Sequence, residues 1–246
     1  MFGLFKKKDK EATVAAFAAL GTDMHSHLLP GIDDGSPDVD TSLRLMEGLV
    51  ALGYNKFICT PHIYQELYPN TRETIQAAYE KLLPAVQQKF PGVALTYAAE
   101  YFLDDHFDEL LKKGPLLTIT GNHVLVEYSF SSPPLDLKEK LYNLQLEGYK
   151  PILAHPERYG YYASSKKEYD ALFDAGCLFQ LNILSLSGYY GKQPAQLAQY
   201  LLEKNYITLL GTDLHHDRHL AALQSPGMQK LITQLASRLP LLNSSL

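Results

Sequence analysis

Seven short apolar runs recur along this chain, and six of them carry a histidine, aspartate or glutamate at or just beyond their C-terminal end. The runs are residues 22–26, 56–60 (KFICT), 93–100 (VALTYAAE), 123–129 (HVLVEYS), 150–155 (KPILAH), 177–182 (CLFQLN) and 206–213 (YITLLGTD). Most are continuous rather than alternating, as strands buried on both faces are. Between them lie amphipathic stretches such as VDTSLRLMEGLVALG, TRETIQAAYEKLLPAVQQKF and LDLKEKLYNLQLEG, with Gly53 and Gly148 where helix C-caps belong. Repeated β/α units predict a parallel α/β architecture, either a barrel or a doubly wound sheet.

Strand-end chemistry carries the functional information. The first run ends in His25 and His27, the second leads to His62, the third ends at Glu100 and the fourth reaches Glu127. The fifth supplies His155 with Arg158 just after it, and the last supplies Asp213 and His215. In a parallel barrel the C-terminal ends of all strands open on one face. Carboxylates gathered in a half-buried pocket repel one another unless cations compensate them, and imidazole with carboxylate is a good donor set for first-row divalent metals. In His25-X-His27, strand alternation puts both rings on one face, as two ligands of one ion require.

Composition closes off other classes. The 246 residues suffice for one large domain or two small ones, and 46% hydrophobic against 20% charged residues provides a core. A net charge of −5 argues against nucleic acid as a partner. The only cysteines, Cys59 and Cys177, lie in apolar runs, which points to a reducing cytoplasm rather than a disulfide framework. No stretch approaches the length of apolar sequence that spans a bilayer. The expected organisation is a flexible or helical N-terminal extension over 1–20 and a single domain over 21–246.

The segments DMHSHLLPGIDDG, CTPH, AAE, LVEYS, AHPERY, QLNILSLSG and GTDLH, between about residues 22 and 220, resemble the polymerase and histidinol phosphatase (PHP) family. The resemblance is to its bacterial protein-tyrosine phosphatase branch, the CpsB/YwqE type tied to capsule and exopolysaccharide synthesis. It implies a distorted (β/α)7 TIM-like barrel, the PHP fold, and a cluster of three divalent ions, Mn²⁺ first with Fe or Zn as alternatives. By the same resemblance His25, His27, Glu100 and Asp213 hold one ion. Glu100 bridges to a second, shared with Glu127 and His155, while Asp34, His62 and His215 hold the third. Arg158 and Arg218 are implied as the phosphate-binding arginines. Arg218 follows its motif at shorter spacing than in that branch, so Arg72 in YPNTRE stands as its alternative.

The residues and the resemblance imply the same reaction. Bound metal lowers the pKa of a coordinated water from 15.7 towards roughly 7, and the resulting hydroxide attacks phosphorus while arginines compensate charge on the equatorial oxygens. A phenolate leaving group, with a pKa of about 10, asks little of a general acid. Asp34 and His215 are the candidates for assisting it. The expected activity is protein-tyrosine phosphatase, acting on a membrane-associated bacterial tyrosine kinase that controls polysaccharide export. The alternatives are another PHP phosphoesterase, acting on histidinol phosphate or a nucleotide, and a non-catalytic metal-bound regulator. A thiol mechanism would need an arginine six residues past the cysteine, where this chain has Gln65 and Ile183. Tyr64, Phe102 and Tyr128 lie near the motifs, and Tyr64 is the candidate for contacting a substrate ring. Asp33 reads as a turn residue, and Asp23 either orients a ligand imidazole or pairs with the backbone. His106, His123, His216 and His219 read as structural, and Ser185 and Ser187 as turn residues of a rim loop.

Overall fold

The computed structural model describes residues 17–246. Residues 1–16 of the expected extension lie outside that range, whereas Phe17 and Leu20 are buried in the core, Phe17 edge-on to Tyr54 at 5.5 Å. Nine strands are described: β1 (Thr22–Asp23), β2 (Lys56–Cys59), β3 (His62–Ile63), β4 (Ala94–Tyr97), β5 (Glu100–Phe102), β6 (His123–Glu127), β7 (Lys150–Ala154), β8 (Leu178–Asn182) and β9 (Ile207–Gly211). Helices alternate with them: α1 (Val39–Leu52), α2 (Arg72–Lys89), α3 (Asp105–Lys113), α4 (Leu137–Leu146), α5 (Lys167–Asp174) and α6 (Lys192–Glu203), then α7 (Asp217–Leu223) and α8 (Pro226–Ala236) after β9. Capping follows the sequence: Asp38, Thr71 and Asp104 accept backbone N–H bonds at the starts of α1, α2 and α3. Gly53 closes α1 in the left-handed region, whereas α4 is capped by Glu147 with Gly148 one residue beyond.

All strand pairs are parallel, in a three-stranded sheet β1-β2-β4 and a six-stranded sheet β3-β5-β6-β7-β8-β9. The division falls at the end of one expected run, 56–60, and inside another, 93–100. Cys59 faces Tyr97 and His62 faces Glu100, so β2–β3 and β4–β5 keep one register across the break. Two bonds carry the ladder over it, Ala98 N to Cys59 O at 2.8 Å and Glu100 N to Pro61 O at 3.0 Å. Pro61 has no N–H to donate, which is why the strand is interrupted there. The seven runs therefore occupy seven strand positions of a distorted (β/α)7 barrel.

Along β1 and β9 themselves the ring is joined by side chains, and backbone bonds take over only at the mouth. Asn243, buried near the C-terminus, donates Nδ2 to Thr22 O (3.1 Å) and Leu210 O (2.7 Å) and accepts from Leu210 N at 2.9 Å. Higher up, the Asp23 carboxylate accepts from Thr212 N (3.1 Å) and Thr212 Oγ1 (2.6 Å). At the mouth Ser26 and Leu214 form a parallel bridge, with Asp213 N bonded to His25 O at 2.8 Å. Of the two roles open to Asp23, the structure shows the pairing with Thr212.

Strand alternation separates the interior from the shell. Ile58, Ala98, Leu125, Ile152 and Leu209 form one small buried cluster, while their neighbours Phe57, Val124, Val126 and Leu210 belong to the larger core that includes the helices. Two residues further along the inner face, Ala98 leads to Glu100, Leu125 to Glu127 and Leu178 to Gln180. The polar mouth is thus built directly on an apolar stack. None of the described helices is long and apolar enough to cross a membrane.

Candidate metal centre

Eight histidine, aspartate and glutamate side chains converge at the mouth, with Asp34 reaching in from the loop after β1. Glu100 lies at the centre. Its Oε2 stands 3.2 Å from His25 Nε2, 3.5 Å from His27 Nε2 and 3.2 Å from His62 Nδ1, and its Oε1 stands 3.0 Å from His155 Nε2. Asp213 Oδ1 faces the same two rings, 3.6 Å from His25 Nε2 and 3.4 Å from His27 Nε2. Glu127 Oε1 is 2.9 Å from His62 Nδ1, and its Oε2 is 3.7 Å from His155 Nε2. Asp34 Oδ1 is 3.5 Å from both His62 Nε2 and His215 Nε2. Four groups of ligand atoms lie within 4.8 Å of one another: His25–His27–Asp213, His25–Glu100–His155, His62–Glu100–Glu127 and His27–Asp34–His62–His215.

His155 Nε2 bonds Glu100 Oε1, but most of the other facing atoms make no hydrogen bond. His25 Nε2, His27 Nε2, His62 Nδ1 and Glu100 Oε2 are buried, face one another and have no hydrogen-bond partner; His155 Nδ1, on the other edge of its ring, is also unpaired. Leaving buried polar atoms unpaired is costly, and four facing one another in one pocket is the pattern expected of a donor set that satisfies itself on cations. Imidazole and carboxylate donors with no thiolate fit divalent first-row metals. Electrostatics agree. Burial alone would raise the carboxyls of Glu100 and Asp213, but the surrounding imidazoles, His25 and His62 at Glu100 and His215 and His25 at Asp213, hold both well below the ordinary range. Burial, followed by the Arg158 charge, holds His155 below its usual value.

The remaining ring nitrogens are fixed from behind, as metal-binding imidazoles generally are. His25 Nδ1 bonds Gln180 Oε1 at 2.8 Å, and His27 Nδ1 bonds Asp33 Oδ2 at 2.8 Å. Asp33 does serve the turn, accepting from Gly35 N at 3.0 Å, and it also accepts from His62 N at 3.3 Å. That loop folds so tightly onto His27 that any Cβ at Gly35 would collide with the His27 backbone and Cβ. Gly211 is equally constrained, since a Cβ there would lie 2.6 Å from Gln180 Nε2 and 2.7 Å from His25 Cβ. His155 (φ 34°) and Asp213 (φ 49°) adopt left-handed backbone just past β7 and β9. Such geometry costs of order ~1–3 kcal/mol per residue and clusters at functional sites.

Arg158 enters the cleft from the 3-10 turn Pro156–Arg158. Its Nη1 donates to Asp213 Oδ2 at 2.8 Å, and its guanidinium lies between Phe130 (4.6 Å) and Tyr190 (4.5 Å). Asn182 Nδ2 donates to the same Asp213 oxygen at 2.9 Å and to Tyr190 OH at 3.2 Å. Beneath them the buried Glu157 accepts from Ser185 Oγ (2.6 Å) and Asn182 N (3.1 Å), and burial pushes its carboxyl up to about 7. The cleft measures about 250 Å³.

Not every expected residue reaches it. Arg218 is exposed on α7, Arg72 is exposed and donates to Pro115 O at 2.6 Å, and neither lines the cleft. Tyr64 stacks on Phe102 at 3.9 Å outside the cleft lining, and Tyr128 is buried against Tyr159. His216 and His219 line the rim, where His216 caps α7 and His219 Nδ1 contacts Asp213 O at 3.2 Å. Tyr68, stacked on His62 at 5.2 Å, joins Phe130, Tyr190, Gln180 and Asp33 among residues whose part the sequence did not disclose. Cys59 and Cys177 are free and buried, and burial raises both thiols, Cys177 to about 12, which is incompatible with a nucleophilic thiolate.

Comparison with known proteins agrees with this geometry. The tyrosine-protein phosphatase YwqE of Bacillus subtilis is 27% identical over 219 residues, covering 89% of this chain and 86% of that protein. The tyrosine-protein phosphatase CpsB of Streptococcus agalactiae is 27% identical over 201 residues, covering 79% and 82%. Among solved structures, one described as YwqE from Bacillus subtilis and CpsB from Streptococcus pneumoniae, unique metal-dependent tyrosine phosphatases, superposes with a TM-score of 0.76 at 26% identity, covering 89% of this chain and 94% of the other. A lactonase from Listeria monocytogenes shares the fold alone, with a TM-score of 0.52 at 13% identity over 90% and 87% of the two chains. The family pattern for capsular polysaccharide synthesis, CpsB/CapC, matches residues 21–240, and this chain belongs to the CpsB/CapC family.

Proposed function

We propose that residues 21–246 act as one metal-dependent protein-tyrosine phosphatase domain. Its proposed substrate is phosphotyrosine on a membrane-associated bacterial tyrosine kinase controlling capsule or exopolysaccharide synthesis, encountered in the cytoplasm. The observation that carries this reading is the set of four buried ligand atoms without hydrogen-bond partners, on His25, His27, His62 and Glu100, facing one another beside a preorganised arginine.

Three ions fit the donor set: one at His25, His27, Asp213 and Glu100, one at Glu100, Glu127 and His155, and one at Asp34, His62 and His215. Carboxylate-rich donors suit Mn²⁺, with Fe²⁺ or Zn²⁺ as the other candidates. When bound, such ions acidify water for attack on phosphorus and offset the phosphoryl charge. The chain supplies the rest. Arg158 presents its planar fork to the phosphoryl oxygens, and Asp213 with the two flanking rings stops it from turning away. Gln180 and Asp33 fix the rings of His25 and His27. Burial opposes ionisation of Asp34, yet His215 and His62 hold its carboxyl far below the ordinary range, so it has no proton to give near neutrality. A phenolate, with a pKa of about 10, can leave without one far more readily than an alkoxide.

The test is hydrolysis of a phosphotyrosine peptide, with histidinol phosphate assayed beside it, by wild type with added Mn²⁺, by wild type with chelator, and by His155→Ala. The peptide is the expected preferred substrate, chelator abolishes turnover, and His155→Ala lowers it about a hundredfold. Turnover surviving both chelator and His155→Ala overturns the site. Preference for histidinol phosphate overturns the substrate.

A further inference from the structure

Of the large hydrophobic side chains exposed among the described residues, Phe130 alone lines the metal-site cleft; it is 46% exposed. It follows the candidate ligand Glu127 by three residues, in a loop held at its root by Tyr161 OH donating to Ser129 O at 3.1 Å. One part of the ring is occupied by the Arg158 guanidinium, and its centroid lies 5.5 Å from His155 and 5.6 Å from Tyr159. The other ring against Arg158 differs in kind. Tyr190 is tied by its hydroxyl to Asn182, which also holds Asp213, so it serves as a fixed inner wall. Phe130 is the outer wall, with nearly half its surface left to solvent.

That placement matters because of what a phosphomonoester must do here. Its phosphoryl group is drawn to Arg158 and to the cations that the carboxylate-rich floor would hold, so the group on the ester oxygen projects outward past the rim. The rings expected from sequence to meet it are engaged elsewhere, Tyr64 with Phe102 and Tyr128 with Tyr159. Resting on the phosphatase reading above, we propose that Phe130 is the specificity-determining residue of this site, the face against which the leaving aryl ring packs, selecting aryl over alkyl phosphomonoesters. A ring contact of this kind is worth about three- to tenfold in affinity, and an alkyl chain offers no face to match it. Because Phe130 touches Arg158 as well, its effect on the ring has to be separated from its effect on the phosphate.

Competitive inhibition by phenylphosphonate and methylphosphonate makes that separation, since the two share a headgroup and differ by the ring. Both are measured against phosphotyrosine peptide hydrolysis by the full chain with Mn²⁺. The wild type is expected to favour phenylphosphonate. In Phe130→Ala and Phe130→Leu that preference falls three- to tenfold, the phenylphosphonate constant rising by more than any rise in the methylphosphonate constant, and Phe130→Tyr keeps the wild-type ratio. An unchanged ratio in Phe130→Ala overturns the proposal, as does a parallel rise of both constants, which would mean the ring acts only through Arg158. Failure of the underlying reading shows differently: the wild type would then turn over no phosphotyrosine peptide at all, and the proposal falls with it. Phe130 is an exposed loop residue, so loss of folding does not confound the comparison.

Discussion

Gln180 Oε1 lies 2.8 Å from His25 Nδ1 and accepts the main-chain N–H of His155 at 3.3 Å, so one side chain on β8 positions candidate ligands from two other strand ends. A backbone N–H can only donate, which fixes the contacting Gln180 atom as oxygen. His25 Nδ1 must then carry the proton, and Nε2 turns its lone pair towards Glu100 and Asp213. Gln180→Leu is expected to weaken metal binding about 10–100-fold without unfolding the barrel, whereas Gln180→Glu retains the acceptor and much of the affinity. Competition against a chromogenic chelator, with circular dichroism as the folding control, measures this. Unchanged affinity in Gln180→Leu would show that His25 needs no such support.

The three candidate arginines separate in one experiment. Arg158 is clamped in the cleft, while Arg218 is exposed on α7 and Arg72 is bonded to Pro115 O. Arg158→Ala should lower kcat/KM for a phosphotyrosine peptide about a hundredfold or more with metal content unchanged, as removal of a preorganised donor at a developing charge does. Arg158→Lys should recover little, because a point charge cannot replace the fork. Arg218→Ala and Arg72→Ala should stay within about twofold, inside the usual range for surface substitutions. A larger loss at Arg218 would restore it to phosphate binding.

That Arg218 lies outside the cleft lining, and that several residues lining or supporting it leave no mark in the sequence, has a common physical reason. Strand ends announce themselves because an apolar run must stop where the polar mouth begins, so His25, His62, Glu100, Glu127, His155 and Asp213 were legible. Helix phase is not. His216 starts α7, and that start turns Arg218 away from the cleft to solvent. Asp33 reads as turn chemistry because it does make the turn, and its second oxygen on His27 leaves no local trace. Gln180 had a signal that went unused, since a lone amide in an apolar strand must find a buried partner. Phe130 and Tyr190 come from loops, where no periodicity reports which way a side chain faces. The break at Thr60–Pro61 was readable in principle from the proline, yet only the retained register shows that it leaves the barrel order intact.

Metal loading should release protons. Burial opposes a charged His27, but the Asp33 carboxylate bonded to it, with the Asp213 carboxylate nearby, holds it well above its ordinary value. His62 is likewise opposed by burial and by the His27 charge, yet Glu100, Asp34 and Glu127 hold it at about 10. In the metal-free protein at neutral pH these rings therefore carry protons that a cation must displace. The sign follows: raising the pH removes the competitor, so metal affinity increases from about pH 6 to 8. Calorimetric titration in two buffers of different ionisation enthalpy should read net proton release near neutrality. Buffer-independent heats would mean the imidazoles are already neutral.

The seam between β1 and β9 makes a prediction of the opposite kind, affecting stability and leaving chemistry alone. Asn243→Ala removes the acceptor for Leu210 N and the donor for Leu210 O and Thr22 O, all in a fully buried setting. Unpaired buried backbone groups cost about 1–3 kcal/mol each, and partial relaxation brings the expected total to about 2–4 kcal/mol. The urea midpoint should fall accordingly with an unchanged m-value, since the surface exposed on unfolding is the same. Asn243 bonds near the start of β1 and within β9, whereas the mouth has its own fastenings in Asp23–Thr212 and Ser26–Leu214. Turnover per folded molecule should therefore match wild type at temperatures where the variant is native. A variant that kept its stability would place the closure of the ring on those upper contacts alone, and one that lost activity while folded would show that the mouth takes its geometry from the whole length of the seam.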